Sequence, residues 1–188
     1  MNKLEQAIID GARAAHADYE CFTGGYWLSY GPESFLTYAI ARKIYKEGFY
    51  AVPECSPKTI WEEQSDPKPR GRPPKNSRQR FDLVVWNQAN NGIVAVLEIK
   101  KAWNITNLSG DRKKIDEYLK TNDFGKVAGY LLAYNEAEGK RRTDRTDMLK
   151  KRFEYWAQKL NCTLLEPHIK APRNAEWAWG VALLRLNR

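Results

Sequence analysis

The stretch FDLVVWNQANNGIVAVLEIK, residues 81–100, decides how this chain folds. Two apolar runs, Phe81–Trp86 and Ile93–Ile99, flank Gln88-Ala89-Asn90-Asn91-Gly92, which is rich in turn-forming residues. The pattern predicts a β-hairpin. With the turn centred on Asn90, paired positions sum to 180, so Trp86 opposes Val94, Val84 opposes Val96 and Asp82 opposes Glu98. Directly opposed side chains hold their Cβ atoms roughly 5 Å apart. Lys100, two residues past Glu98, leaves the same face of the strand. A loop one residue longer or shorter reverses the parity and separates the two carboxylates.

Opposed carboxylates repel, and one of them takes up a proton or a cation. A hard divalent ion such as Mg²⁺ takes a few carboxylate oxygens together with waters and phosphate oxygens, which suits Asp82 and Glu98. Lys100 is placed to orient or deprotonate a water, or to neutralise phosphate charge. The same spacing also describes a strand that merely ends in an exposed Glu98–Lys100 ion pair, and spacing alone does not separate the two.

Outward from the hairpin, helix and strand patterns alternate. A helix is predicted over 3–17, with Leu4, Ile8 and Ala12 on one side, and a Gly- and aromatic-rich connector follows at Phe22–Trp27. The next helix runs from Pro32 to about Glu47, with Pro32 at its first position and Gly48 as its stop. Residues 49–55 read as a strand. Residues 64–79 hold four prolines and no large apolar side chain, which predicts a solvated, flexible basic loop. Beyond the hairpin, a helix over about 109–121 has Leu108, Ile115 and Leu119 inward, and 127–134 is an apolar strand covered on both faces. Strand 93–100, helix and strand 127–134 make a β-α-β crossover, so those strands are expected to be parallel. A helix over about 144–160 buries Leu149, Phe153, Trp156 and Leu160, and strands follow near 162–166 and 177–186. No repeat or boundary divides the chain, so residues 1–188 are expected to form one domain.

Composition narrows the class. At 188 residues, 43% hydrophobic and with seven Trp, the chain supports one well-buried core. No run of roughly 18 apolar residues is present and the N-terminal residues lack a secretion-signal pattern, so no membrane span and a cytoplasmic location are expected. Cys21, Cys55 and Cys162 have no metal-ligand spacing, and His16 and His168, the only histidines, suggest no catalytic pattern. No Gly-x4-Gly-Lys-Ser/Thr loop occurs, which excludes a P-loop motor. A net charge of +8 and a pI near 9.3 favour a polyanionic partner such as nucleic acid.

Asp82-x15-Glu98-Ile99-Lys100 resembles the core motif of the PD-(D/E)XK nuclease superfamily, with Phe81 in place of that family's Pro. The element order over about 30–135 also looks like its restriction-endonuclease-like αβββαβ core: an α/β (mixed α+β) fold whose central mixed sheet is flanked by helices. An extra N-terminal helix and a C-terminal helix plus strands would surround that core. The resemblance implies a Mg²⁺-dependent endodeoxyribonuclease, with Mn²⁺ able to substitute. It further implies that Asp82, Glu98 and the Ile99 backbone carbonyl hold the metal while Lys100 assists the attacking water. Glu33 lies 3, 7 and 11 residues before Leu36, Ile40 and Ile44, on the inward side of its helix. Many members supply a further carboxylate from that helix, so Glu33 resembles a fourth site residue. Glu54 reads as a weaker candidate on a solvated strand end.

The expected partner is nucleic acid, double-stranded DNA foremost, held by Arg70, Arg72, Lys75, Arg78 and Lys101; Lys101 reads equally as an exposed side chain. Pro69-Arg70-Gly71-Arg72-Pro73 resembles the core of an AT-hook, which implies minor-groove contact, while a generic phosphate clamp fits the same charges. Lys140, Arg141, Arg142 and Arg145 form a second basic stretch. Two readings of other classes stand beside the enzyme: a non-catalytic nucleic-acid-binding protein on the same fold, and a homodimer seamed by Trp177-Ala178-Trp179.

Overall fold

The hairpin forms with the expected parity. The computed structural model describes residues 1–63, 79–89, 92–121 and 126–187, and in it β2 (Phe81–Asn87) and β3 (Ile93–Lys101) pair antiparallel. Leu83 opposes Leu97, Val84 opposes Val96 and Val85 opposes Ala95. A bulge between Val85 and Trp86 then shifts the register, so Trp86 meets Ile93 and not the expected Val94. The Asn87 N–H donates to the Gly92 carbonyl at 2.8 Å and closes the loop, whose centre at Asn90 lies outside the described residues.

Around the hairpin stand α1 (Lys3–Phe22), a 3₁₀ turn (Leu28–Tyr30), α2 (Glu33–Lys46), β1 (Phe49–Cys55), α3 (Pro57–Glu63), α4 (Thr106–Thr121), β4 (Ala128–Glu138), α5 (Arg142–Lys159), β5 (Cys162–Leu164), β6 (His168–Lys170) and β7 (Trp177–Leu186). Among the described residues these make a mixed α/β fold: five α-helices and an open seven-stranded sheet in the order β1-β2-β3-β4-β7-β5, with β6 also on β7. Only β3 and β4 are parallel, as their crossover through α4 requires; the other pairs are antiparallel.

Helices cover both faces, which is why the central strands read as unbroken apolar runs. Leu83, Val85, Ala95, Leu97 and Ile99 pack with Ile8, Leu36, Ile40 and Ile44 of α1 and α2. On the other face Val84, Trp86 and Val96 pack with Ile115, Phe153 and Trp156 of α4 and α5.

α1 and α2 touch closely at Gly11, where an added Cβ would lie 2.7 Å from the Ile40 Cα. Backbone cannot yield as a side-chain tip does, so the glycine sets how near α2 lies to α1. Gly11→Val is expected to lower stability by about 2 kcal/mol, a fall of roughly 5 °C in thermal midpoint followed by circular dichroism.

Several boundaries differ from expectation. Pro32 is the N-cap of α2, with ψ 142°, and Glu33 is its first residue. α4 begins at Thr106 and β4 continues to Glu138, past the end of its apolar run. α3 was not expected, although Ser56 caps it by accepting the Thr59 N–H at 3.1 Å and Pro57 suits its first position. No helix among the described residues is long and apolar enough to cross a membrane.

Candidate active site

The β2–β3 ladder is recorded as far as Leu83–Leu97, and a side chain takes over beyond it. Asp82 Oδ2 accepts the Ile99 N–H at 2.6 Å. In an extended strand the N–H and C=O of one residue point the same way, so the Ile99 carbonyl is directed toward this end of β2 as well. β2 and β3 thus separate around a carboxylate.

Glu98 lies beside it with 3% of its surface exposed. Burial, reinforced by the charge of Asp82, pushes its carboxyl up to about 8. Burial also raises the Asp82 carboxyl, against the opposing Ile99 hydrogen bond. Glu98 Oε1 is 2.5 Å from Lys114 Nζ of α4, an ion pair without the angles of a hydrogen bond. Lys114 Nζ also donates to the Arg80 carbonyl at 2.9 Å.

At the adjacent end of the sheet, Glu33 joins two consecutive lysines. Its Oε1 accepts the Lys101 N–H at 3.1 Å and its Oε2 lies 3.5 Å from Lys100 Nζ. Burial works against the Lys100 ammonium, but the charges of Glu33, Asp111 and Asp82 outweigh it and raise the Lys100 pKa. Those charges favour the ammonium form, which suits Lys100 to orienting a water or stabilising negative charge.

The site thus joins Asp82, Glu98, Lys100 and Glu33 as the sequence suggests, and α4 adds two residues that were missed. Asp111, whose carboxyl is raised by burial, acts electrostatically on Lys100 and Glu98, and its buried Oδ2 has no hydrogen-bond partner among the described residues. Its spacing from Leu108 and Ile115 is the inward spacing that singled out Glu33, so a signal was present. Lys114 carried no such signal.

No family model, curated protein or solved structure matches the chain.

Among the described residues, no group of three or more His, Cys, Asp and Glu could hold a metal ion. The donors on offer to a cation are two carboxylates, of Asp82 and Glu98, and the Ile99 carbonyl. That set fits a hard divalent ion completing its shell with water and phosphate, and the buried, proton-hungry Glu98 carboxylate is what such an ion would neutralise.

Lys101 Nζ donates to the Ser29 carbonyl at 2.5 Å and lies 4.8 Å from the centre of the Trp103 ring. Glu54 is exposed and has a φ of 51°. Arg70, Arg72, Lys75 and Arg78 lie outside the described residues. In the second basic stretch, Arg145 is buried and donates to the Gly139 and Pro172 carbonyls at 2.7 and 3.0 Å, so it belongs to the core.

Proposed function

We propose that this chain is a Mg²⁺-dependent endodeoxyribonuclease of the PD-(D/E)XK type. One observation carries the reading: a half-buried Asp82 carboxyl and a buried Glu98 carboxyl lie together where β2 and β3 separate, and Glu98 is pushed up to about 8. Burying two neighbouring carboxylates costs free energy unless a cation meets them. The order α2-β1-α3-β2-β3-α4-β4 supports an αβββαβ core into which the short α3 is inserted after β1, and the net charge of +8 supports an anionic substrate.

Asp82, Glu98 and the Ile99 carbonyl would hold the ion. When bound, it supplies a water of lowered pKa and neutralises charge on the phosphate. Asp82 also fixes Ile99 through its N–H. Lys100 offers its ammonium to the developing negative charge, and Glu33 keeps that ammonium in place.

One observation favours a non-catalytic nucleic-acid-binding protein on the same fold: Lys114 already gives Glu98 a counter-charge from within the chain. Incubation with supercoiled and linear DNA separates the two. The nuclease cuts with Mg²⁺ or Mn²⁺ and not with EDTA; the binding protein shifts DNA in a salt-sensitive manner and cuts under neither condition.

A further inference from the structure

On the α1–α2 face of the sheet, beyond Lys101, lies a cavity of about 210 Å³ lined by Gly25, Tyr26, Trp27, Tyr30, Glu136 and Trp177. Its aromatic walls are unusually open. Tyr26, Tyr30 and Trp177 are 64%, 68% and 41% exposed, and the Tyr26 and Tyr30 rings meet edge to face at 6.2 Å. Glu136 is the opposite case, with 7% of its surface exposed and its Oε1 buried without a hydrogen-bond partner among the described residues. Its backbone is held firmly: Arg152 donates to the Glu136 carbonyl at 2.9 Å, and Asn135 Oδ1 accepts the Glu136 N–H at 2.6 Å.

A buried acceptor without a donor is costly, and so is a cluster of exposed rings; a ligand that is flat and carries N–H donors relieves both. Aromatic side chains stack on nucleobases. A carboxylate accepts two parallel N–H bonds. Guanine presents N1–H and N2–H₂ side by side, whereas adenine and cytosine offer one amine beside an acceptor and uracil offers one N–H between two carbonyls. An organic cation would also suit rings and a carboxylate. It would, however, meet the nearby Lys101 ammonium, 5.8 Å from the Tyr30 ring, in a chain of net charge +8. A base that carries phosphate is attracted by the same charges.

We propose that this cavity is a guanine-binding pocket, in which one of the Tyr26 and Tyr30 rings stacks on the base while the other and Trp177 flank it, and Glu136 accepts from its N1–H and N2–H₂. The pocket adjoins the candidate active site through Lys101, whose N–H is on Glu33 and whose Nζ is on Ser29. A guanine unstacked from a strand would sit there while the backbone passes Lys100. This deepens the nuclease reading and rests on it for the strand, but nucleotide binding itself does not need cleavage.

Titrations with GMP, AMP, CMP and UMP in EDTA, followed by calorimetry, test the pocket without any turnover. Wild type is expected to bind GMP at least tenfold more tightly than the other three. Glu136→Gln is expected to bring GMP down to their level, while Trp177→Ala weakens all four. Tyr26→Ala, at an exposed rim position, repeats the Trp177 result without touching the core. Asp82→Ala is expected to bind GMP as wild type does, so a failed nuclease reading leaves this result standing. Equal affinity for the four nucleotides, a guanine preference that survives Glu136→Gln, or displacement of GMP by tetramethylammonium overturns the proposal.

Discussion

Asp82→Ala is expected to lower Mg²⁺-dependent DNA cleavage by roughly 10³-fold, with thermal stability little changed. The substitution removes one of the two carboxylates that would hold the ion and frees the Ile99 N–H, whose carbonyl would be the third donor. It also relieves the repulsion that Asp82 exerts on Glu98, which offsets the lost hydrogen bond and keeps the fold intact. Lys100→Ala is expected to cost about 10²- to 10³-fold by a different route, because the ion can still bind while the substrate charge goes unmet. The double variant should be little worse than Asp82→Ala, since groups that act as a unit do not add. Initial rates of plasmid nicking measure all three. Cleavage that survives either single change removes these residues from the chemistry.

Lys114→Met has the largest expected effect on stability, and the effect depends on pH. Glu98 is buried and pushed up to about 8, well above its unfolded value. A carboxyl that binds its proton more tightly when folded contributes stability at low pH, and that contribution is lost as pH rises through the folded value. Lys114 limits the loss by pairing with the ionised form at 2.5 Å. Near pH 6, Glu98 keeps its proton with or without Lys114, so the variant is expected to unfold close to wild type. At pH 9 the variant must bury an unpaired charge, and a deficit of about 3 kcal/mol is expected, or roughly 8 °C in thermal midpoint. Mg²⁺ should recover part of that deficit by supplying the missing positive charge, and should stabilise wild type by less. Thermal melts at the two pH values, with and without Mg²⁺, read this directly. A deficit equal at both pH values would mean that Lys114 acts through packing instead.

The residues of the hairpin were legible because side chains alternate with a period of two and the loop is short. The pairs from Leu83–Leu97 to Val85–Ala95 follow from that parity alone. The bulge at Trp86 was not legible, because both faces of β2 are covered and either neighbour, Ile93 or Val94, offers Trp86 an apolar partner. Of the site, Asp82, Glu98, Lys100 and Glu33 were visible as carboxylates and an ammonium at inward or paired positions. Asp111 was equally visible by helical spacing but lay outside the motif. Lys114 was hidden, because nothing local says which lysine of a basic helix turns inward. Glu136 was hidden for a related reason: Asn135 and Glu136 look like the polar end of a strand. They are buried because Arg152, distant in sequence, donates to Asn135 Oδ1 and the Glu136 carbonyl. The Arg70–Arg72 segment lies outside the described residues, so the substrate reading rests on charge and on the site itself.

The claim beneath all of this is that Asp82, Glu98 and the Ile99 carbonyl together hold one divalent cation. Anomalous diffraction from crystals soaked in Mn²⁺ tests it most directly. A single strong peak is expected in contact with both carboxylates and that carbonyl, with Lys114 moved off Glu98, and no peak there in Asp82→Ala. A peak elsewhere, or none beside Glu98 with Lys114 still paired to it, would mean that these residues do not hold a divalent ion.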